Sequence, residues 1–193
     1  MDRAWLRYAQ TLRYQDPAGF LVQLRQLEGR VAMSDLPETV RQLRTNKLKP
    51  WRELREGALF CQGMSKRIGQ TVYLAKGESQ DYDFIACWVV DEQQHLAPVQ
   101  LKEVVPHDRN PKTSLQAIVD ALPAKYVASS QLTVAIHLNQ QVRFEPSELV
   151  VPPLNIAALW VFAAIEPTQT HWALWGNFTE ESPFGTTYEY PAA

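Results

Sequence analysis

The spacing of apolar residues changes character near residue 70. Ahead of it the repeat is helical. Trp5, Leu6, Tyr8, Ala9 and Leu12 fall near one stripe, and Asp16-Pro17 interrupts that run and restarts a helix through Leu21, Leu24 and Leu27. Asp35 as an N-cap, Pro37 in the first turn and Glu38 at the capping-box position predict a helix through Val40 and Leu43 that ends near Asn46. A further helix follows Pro50, with Leu54, Ala58, Cys61 and Met64 at helical spacing and Gly69 at its end.

Beyond Gly69 the period shortens to that of strands. Residues 71 to 75, 82 to 90 and 98 to 105 read as β-strands, and the polar stretch 91 to 95 suits a hairpin connection. Residues 113 to 122 return to helical spacing, capped by Thr113 or Ser114, with Leu115, Ile118, Val119 and Leu122 on the apolar face. Strands resume over 132 to 138, 156 to 165 and 171 to 178, and the tail from Thr179 reads as loop. The order is helices, then α-β-β-β-α-β with further strands. This predicts an α/β protein, with an N-terminal helical extension (residues 1 to 49) on a core of residues 50 to 193.

Composition narrows this picture. At 193 residues with 46% hydrophobic and 21% charged positions, the chain suits one globular core. No apolar run reaches the 18 to 20 or so residues that span a bilayer, and Arg interrupts the N-terminal stretch, so a cytoplasmic protein with no membrane partner is expected. Cys61 and Cys87 sit in apolar segments without metal-type spacing and read as reduced core thiols. The four histidines are scattered and do not predict a zinc site; neither a Gly-rich phosphate loop nor a G-x-S-x-G elbow occurs. Trp160, Phe162, Trp172, Trp175 and Phe178 lie in apolar strands and read as core, although an exposed edge there would favour a homodimer.

Charge is distributed unevenly. Residues 1 to 70 carry 13 Lys+Arg against 7 Asp+Glu, whereas residues 71 to 193 carry 6 against 14. The densest basic cluster is Arg41, Arg44, Lys47, Lys49, Arg52 and Arg55. Solvated helix faces account for such a cluster by default; beside a phosphate-handling site it would hold a nucleic-acid backbone.

The chemistry centres on two neighbouring strands. Asp83 opens an apolar run, where an unpaired carboxylate is costly unless it meets a cation. Alternation puts Gln100 and Lys102 on one sheet face and Val99, Leu101 and Glu103 on the other. If the strands pair, Asp83 approaches Gln100 and Lys102. The Asp83 carboxylate, the Gln100 amide oxygen and the Leu101 carbonyl would then offer hard oxygens to Mg²⁺ or Mn²⁺, and Lys102 could assist an attacking water. Glu56 is the first choice for a supporting helix carboxylate and Glu53 the second. Glu103 is expected to be a surface or packing residue. The plain alternative is an Asp83–Lys102 ion pair across adjacent strands.

At Asp83 and Gln100-x-Lys102, with Glu56 in the preceding helix, residues 50 to 138 resemble the PD-(D/E)XK nuclease superfamily. Tyr82 replaces the nominal Pro, and Gln100 replaces the usual acid. The resemblance implies a restriction-endonuclease-like central mixed β-sheet flanked by helices. It also implies metal-dependent hydrolysis of phosphodiester bonds, most naturally in DNA; the alternative is a catalytically inactive module of this fold that binds nucleic acid or a protein. The Gln100 amide removes one negative charge and should weaken cation binding.

Overall fold

A computed structural model describes residues 3–32, 35, 37, 48–77, 81–180 and 184–192. Apart from Asp35 and Pro37, the helix expected over residues 35 to 46, and with it Arg41, Arg44 and Lys47, lies outside the described residues. The elements are α1 (Arg3–Thr11), α2 (Pro17–Ala32), α3 (Lys49–Ile68), β1 (Tyr73–Lys76), β2 (Phe84–Val90), β3 (Gln93–Val104), α4 (Leu115–Lys125), β4 (Ser129–Leu138), β5 (Ile156–Ala164), β6 (His171–Gly176) and β7 (Phe184–Glu189). The chain is therefore α/β, and residues 49 to 138 follow the expected α-β-β-β-α-β order.

All seven strands form one mixed sheet in sequence order. The β3–β4 and β4–β5 pairs are parallel and the rest antiparallel. Parallel neighbours need a crossover, and α4 supplies the first, with Ser114 capping it by accepting the Ala117 N–H at 3.1 Å. β2 and β3 join through Asp91 and Glu92, whose φ values of 48° and 61° match the mirror-image turn that suits a hairpin.

Side-chain alternation sorts the strands into two cores. Phe84, Val99, Leu101, Ala135, Trp160 and Phe162 face α2 and α3, whereas Ile85, Val104, Val134, Ile136, Leu159 and Val161 face α1 and α4. The aromatic residues Trp160, Phe162 and Trp172 are buried in the first core. Cys61 and Cys87 are both free and buried, and burial pushes the Cys61 thiol up.

The N-terminal helices belong to these same cores. Ala9 of α1 and Leu21 of α2 are wholly buried, and the Tyr190 hydroxyl donates to the Leu21 carbonyl at 2.8 Å. Asp16 caps α2 by accepting the N–H groups of Ala18 (3.2 Å) and Gly19 (3.0 Å). Gln15 exchanges two backbone hydrogen bonds with Leu74 and so covers part of the free edge of β1.

Most strands shift by two or three residues from expectation, β4 for example starting at Ser129 rather than Leu132, and the larger differences are at β3 and in the tail. β3 begins at Gln93 rather than Pro98, because the polar Gln93-Gln94-His95 arm pairs with β2, where Gln94 Nε2 donates to Cys87 Sγ at 3.3 Å and the His95 ring stacks on Trp88. The tail forms β7 instead of loop: its Phe184–Glu189 segment pairs with β6 and buries only Tyr188, so it lacks the apolar signature of an inner strand.

α3 lies close against the sheet. A Cβ at Gly63 would stand 2.8 Å from Tyr188 Cε1, so glycine is required for this approach, and Gly69 ends the helix at φ 71° with its N–H on the Ser65 carbonyl. Helix position thus fixes where Glu53 and Glu56 meet the strands.

Candidate active site

Asp83 stands just before β2, and its N–H donates to the Val99 carbonyl at 2.9 Å, which extends the β2–β3 register to the level of Gln100. The Asp83 side chain closes this corner. Its Oδ2 accepts from the Gln100 Nε2 amide and, at 2.6 Å, from the Leu101 N–H. Gln100 Nε2 also donates to the Leu101 carbonyl at 3.3 Å. Among the described residues Oδ1 accepts no hydrogen bond, so half the carboxylate remains available.

Burial dominates the electrostatics here. It raises the Asp83 pKa, an effect opposed by the Leu101 N–H, reinforced by Glu53 and eased by Lys102 and Lys49. Lys102 responds in the opposite sense: burial, followed by contact and repulsion from Lys125, brings its ammonium from 10.5 to about 8, while Asp83 partly resists. The Lys102 Nζ lies 5.9 Å from the centre of the Tyr126 ring, and Lys125 Nζ lies 5.4 Å from the same centre. Among the described residues no Asp83–Lys102 contact reaches ion-pair distance, so the ammonium is influenced by the acid without being neutralised by direct contact.

The helix carboxylate near this corner is Glu53. It lines, with Asp83, Trp51, Leu54, Leu74 and Phe84, a pocket of about 210 Å³ between the start of α3 and the β1–β2 edge, and it pairs with Lys49 Nζ at 3.2 Å. Glu56, the first choice from sequence, sits one turn further along α3 and faces β3 and β4 instead. It is only 5% exposed, and its Oε1 lies 3.5 Å from His137 Nδ1. Glu103 is also nearby, on the face opposite Lys102 as alternation requires. Spacing in sequence did not reveal this grouping, because its members come from three separate elements.

The described basic residues divide into different roles. Arg55 is held by Glu28 at 3.3 Å and donates to Gln169 Oε1 at 2.7 Å, so its guanidinium braces α3 rather than meeting a phosphate. Arg52 lies 4.0 Å from Glu103 and is partly covered. Lys49 is the most open of the three, with its side chain 61% exposed beside Glu53 and the pocket.

No family model, curated protein or solved structure matches this chain. What the corner can do must follow from its own chemistry. The Asp83 Oδ1 oxygen and the Leu101 carbonyl are hard donors and Glu53 adds negative charge nearby, while the Gln100 amide turns its Nε2, itself a hydrogen-bond donor, to both Asp83 Oδ2 and the Leu101 carbonyl. No helix among the described residues is long and apolar enough to cross a membrane.

Proposed function

We propose that this protein is a metal-dependent nuclease of the restriction-endonuclease-like class that hydrolyses phosphodiester bonds, with DNA as the substrate. The observation that carries the reading is the corner itself: the Asp83 carboxylate accepts from the Gln100 amide and the Leu101 N–H, and Lys102, two residues on from Gln100 on the same face, has its ammonium pulled down to about 8 by burial and Lys125. A lysine poised near neutral pH supplies a useful fraction of free amine, which a lysine at its ordinary value would not.

Each residue then has a task. Asp83 would hold Mg²⁺ or Mn²⁺ through its open oxygen, helped by the Gln100 amide oxygen, the Leu101 carbonyl and Glu53. When bound, such an ion supplies Lewis-acid polarisation of the phosphate and positive charge for the transition state. Neutral Lys102 accepts a proton from the attacking water as the water oxygen bonds to phosphorus, and the departing sugar oxygen takes up a proton from a solvent water as its bond to phosphorus breaks. Once protonated, it stabilises the added charge on phosphorus oxygens. Lys49 supplies a backbone contact beside the pocket, and Arg41, Arg44 and Lys47 belong to the same basic segment.

One observation favours the second reading, an inactive module that binds nucleic acid or a protein partner. The Gln100 amide donates to Asp83 and thereby satisfies the acid without a cation. Titrating ¹⁵N-labelled protein with Mg²⁺ separates the two. The nuclease reading expects saturable shifts centred on the Leu101 amide that vanish in Asp83→Asn. Saturable DNA binding with no Mg²⁺-dependent shift at Leu101 would favour the module.

A further inference from the structure

A largely buried group of two glutamates and a histidine lies on the face of β3 opposite Lys102. We infer that Glu56, Glu103 and His137 bind one first-row divalent transition ion, of which Zn²⁺ is the representative, through two carboxylate oxygens and His137 Nδ1. Three observations carry this. One donor atom from each residue falls within 4.8 Å of the other two, and the Glu56 Oε1 to His137 Nδ1 separation is 3.5 Å, near the spacing of two ligands around one small ion. His137 Nδ1 is buried without a hydrogen-bond partner, although the side chain is only 5% exposed and faces a carboxylate whose own side chain is 6% exposed. Buried polar nitrogens are rarely left in this state, and an ion between Nδ1 and the two glutamates would give it a partner.

The surroundings suit a built site. The His137 ring stacks on Phe162 at 5.0 Å between centres and 10° between planes, with Trp172 at 5.7 Å on a tilt, so ring orientation is fixed by the core. Asn139 Nδ2 donates to Glu103 Oε1 at 2.8 Å, an outer contact that orients a ligating carboxylate. A cavity of about 500 Å³ lined by His137, Asn139, Gln169 and Trp172 offers a path for entry. One imidazole beside two carboxylates selects a borderline metal over Mg²⁺ or Ca²⁺, which prefer oxygen alone. The site shares no ligand with the Asp83 corner and does not depend on the nuclease reading.

Cobalt(II) provides the test, because its visible absorption reports coordination without any activity. Metal-free protein titrated with Co²⁺ should gain one equivalent of visible absorption that Zn²⁺ displaces, and Zn²⁺ alone should raise the melting temperature. His137→Asn and Glu56→Gln should lose the absorption, whereas Asp83→Asn should keep it. Asn139→Ala should weaken binding by about 10- to 100-fold, as loss of an orienting contact does. Absence of Co²⁺ absorption and of a Zn²⁺ melting shift in the unaltered protein would overturn the site, and no variant needs to fold for that result. Unchanged absorption in a folded His137→Asn variant would overturn it equally.

Discussion

Replacing Lys102 by Met should make the protein more stable at neutral pH. The apolar stem of lysine is retained in length by methionine, and only the ammonium is removed. In the folded protein burial and Lys125 bring the midpoint from 10.5 to about 8, so holding the charge costs free energy. At about 1.36 kcal/mol per pH unit that interval corresponds to about 3 kcal/mol at most, part of which is returned because the Lys102 contact raises the Lys125 ammonium. Lys102 keeps partial solvent contact, and screening reduces this to about 1 to 2 kcal/mol. The sign follows from proton counting. Between pH 8 and 10.5 the unfolded chain holds more of this proton than the folded one, so stability rises with pH across that window. The cost is complete below about pH 8 and disappears towards pH 10.5. Urea denaturation of both proteins at pH 7 and pH 10 should therefore show the Lys102→Met advantage at pH 7 and most of it gone at pH 10. A variant less stable than the parent at pH 7, or an advantage independent of pH, would refute the account of Lys102.

Neighbouring substitutions should move the same group in opposite directions. By ¹³C-detected titration of the Lys102 Cε, Lys125→Ala raises the midpoint above about 8 and Asp83→Asn lowers it, because Lys125 depresses and Asp83 supports the ammonium. Glu53→Gln should lower the Asp83 carboxyl midpoint in a ¹³Cγ titration, since Glu53 raises it, while Glu56→Gln should leave it in place. Gly63→Ala gains about 1 kcal/mol of helix propensity but drives a Cβ to 2.8 Å from Tyr188 and 3.3 Å from Leu174; a net loss of about 1 to 2 kcal/mol in chemical denaturation is expected.

The corner was legible because its geometry is local to one hairpin. The polar break at Asp91 and Glu92 joins two runs of strand period, and pairing across it brings Asp83 to Gln100; period-two alternation then puts Lys102 on the same face. The rotation of α3 was not legible. Glu53 and Glu56 differ by one turn, and both remain compatible with any helix that precedes the sheet. In the structure Glu53 lines the pocket with Asp83, whereas Glu56 meets His137. The Glu56, Glu103 and His137 grouping was hidden for a related reason. Its residues come from α3, β3 and β4, and their proximity follows from the parallel register that sets Glu103 opposite His137, which no local spacing encodes. β7 escaped notice because an edge strand that buries one tyrosine carries almost no hydrophobic period.

Cleavage of labelled double- and single-stranded DNA in Mg²⁺ or Mn²⁺ tests the central claim most directly. The unaltered protein should cut at least one of these substrates. Activity should require the ion and disappear in both Asp83→Asn and Lys102→Met while each variant remains folded. Failure of the unaltered protein to cut either substrate with either ion, or cutting that survives in both variants, would contradict it.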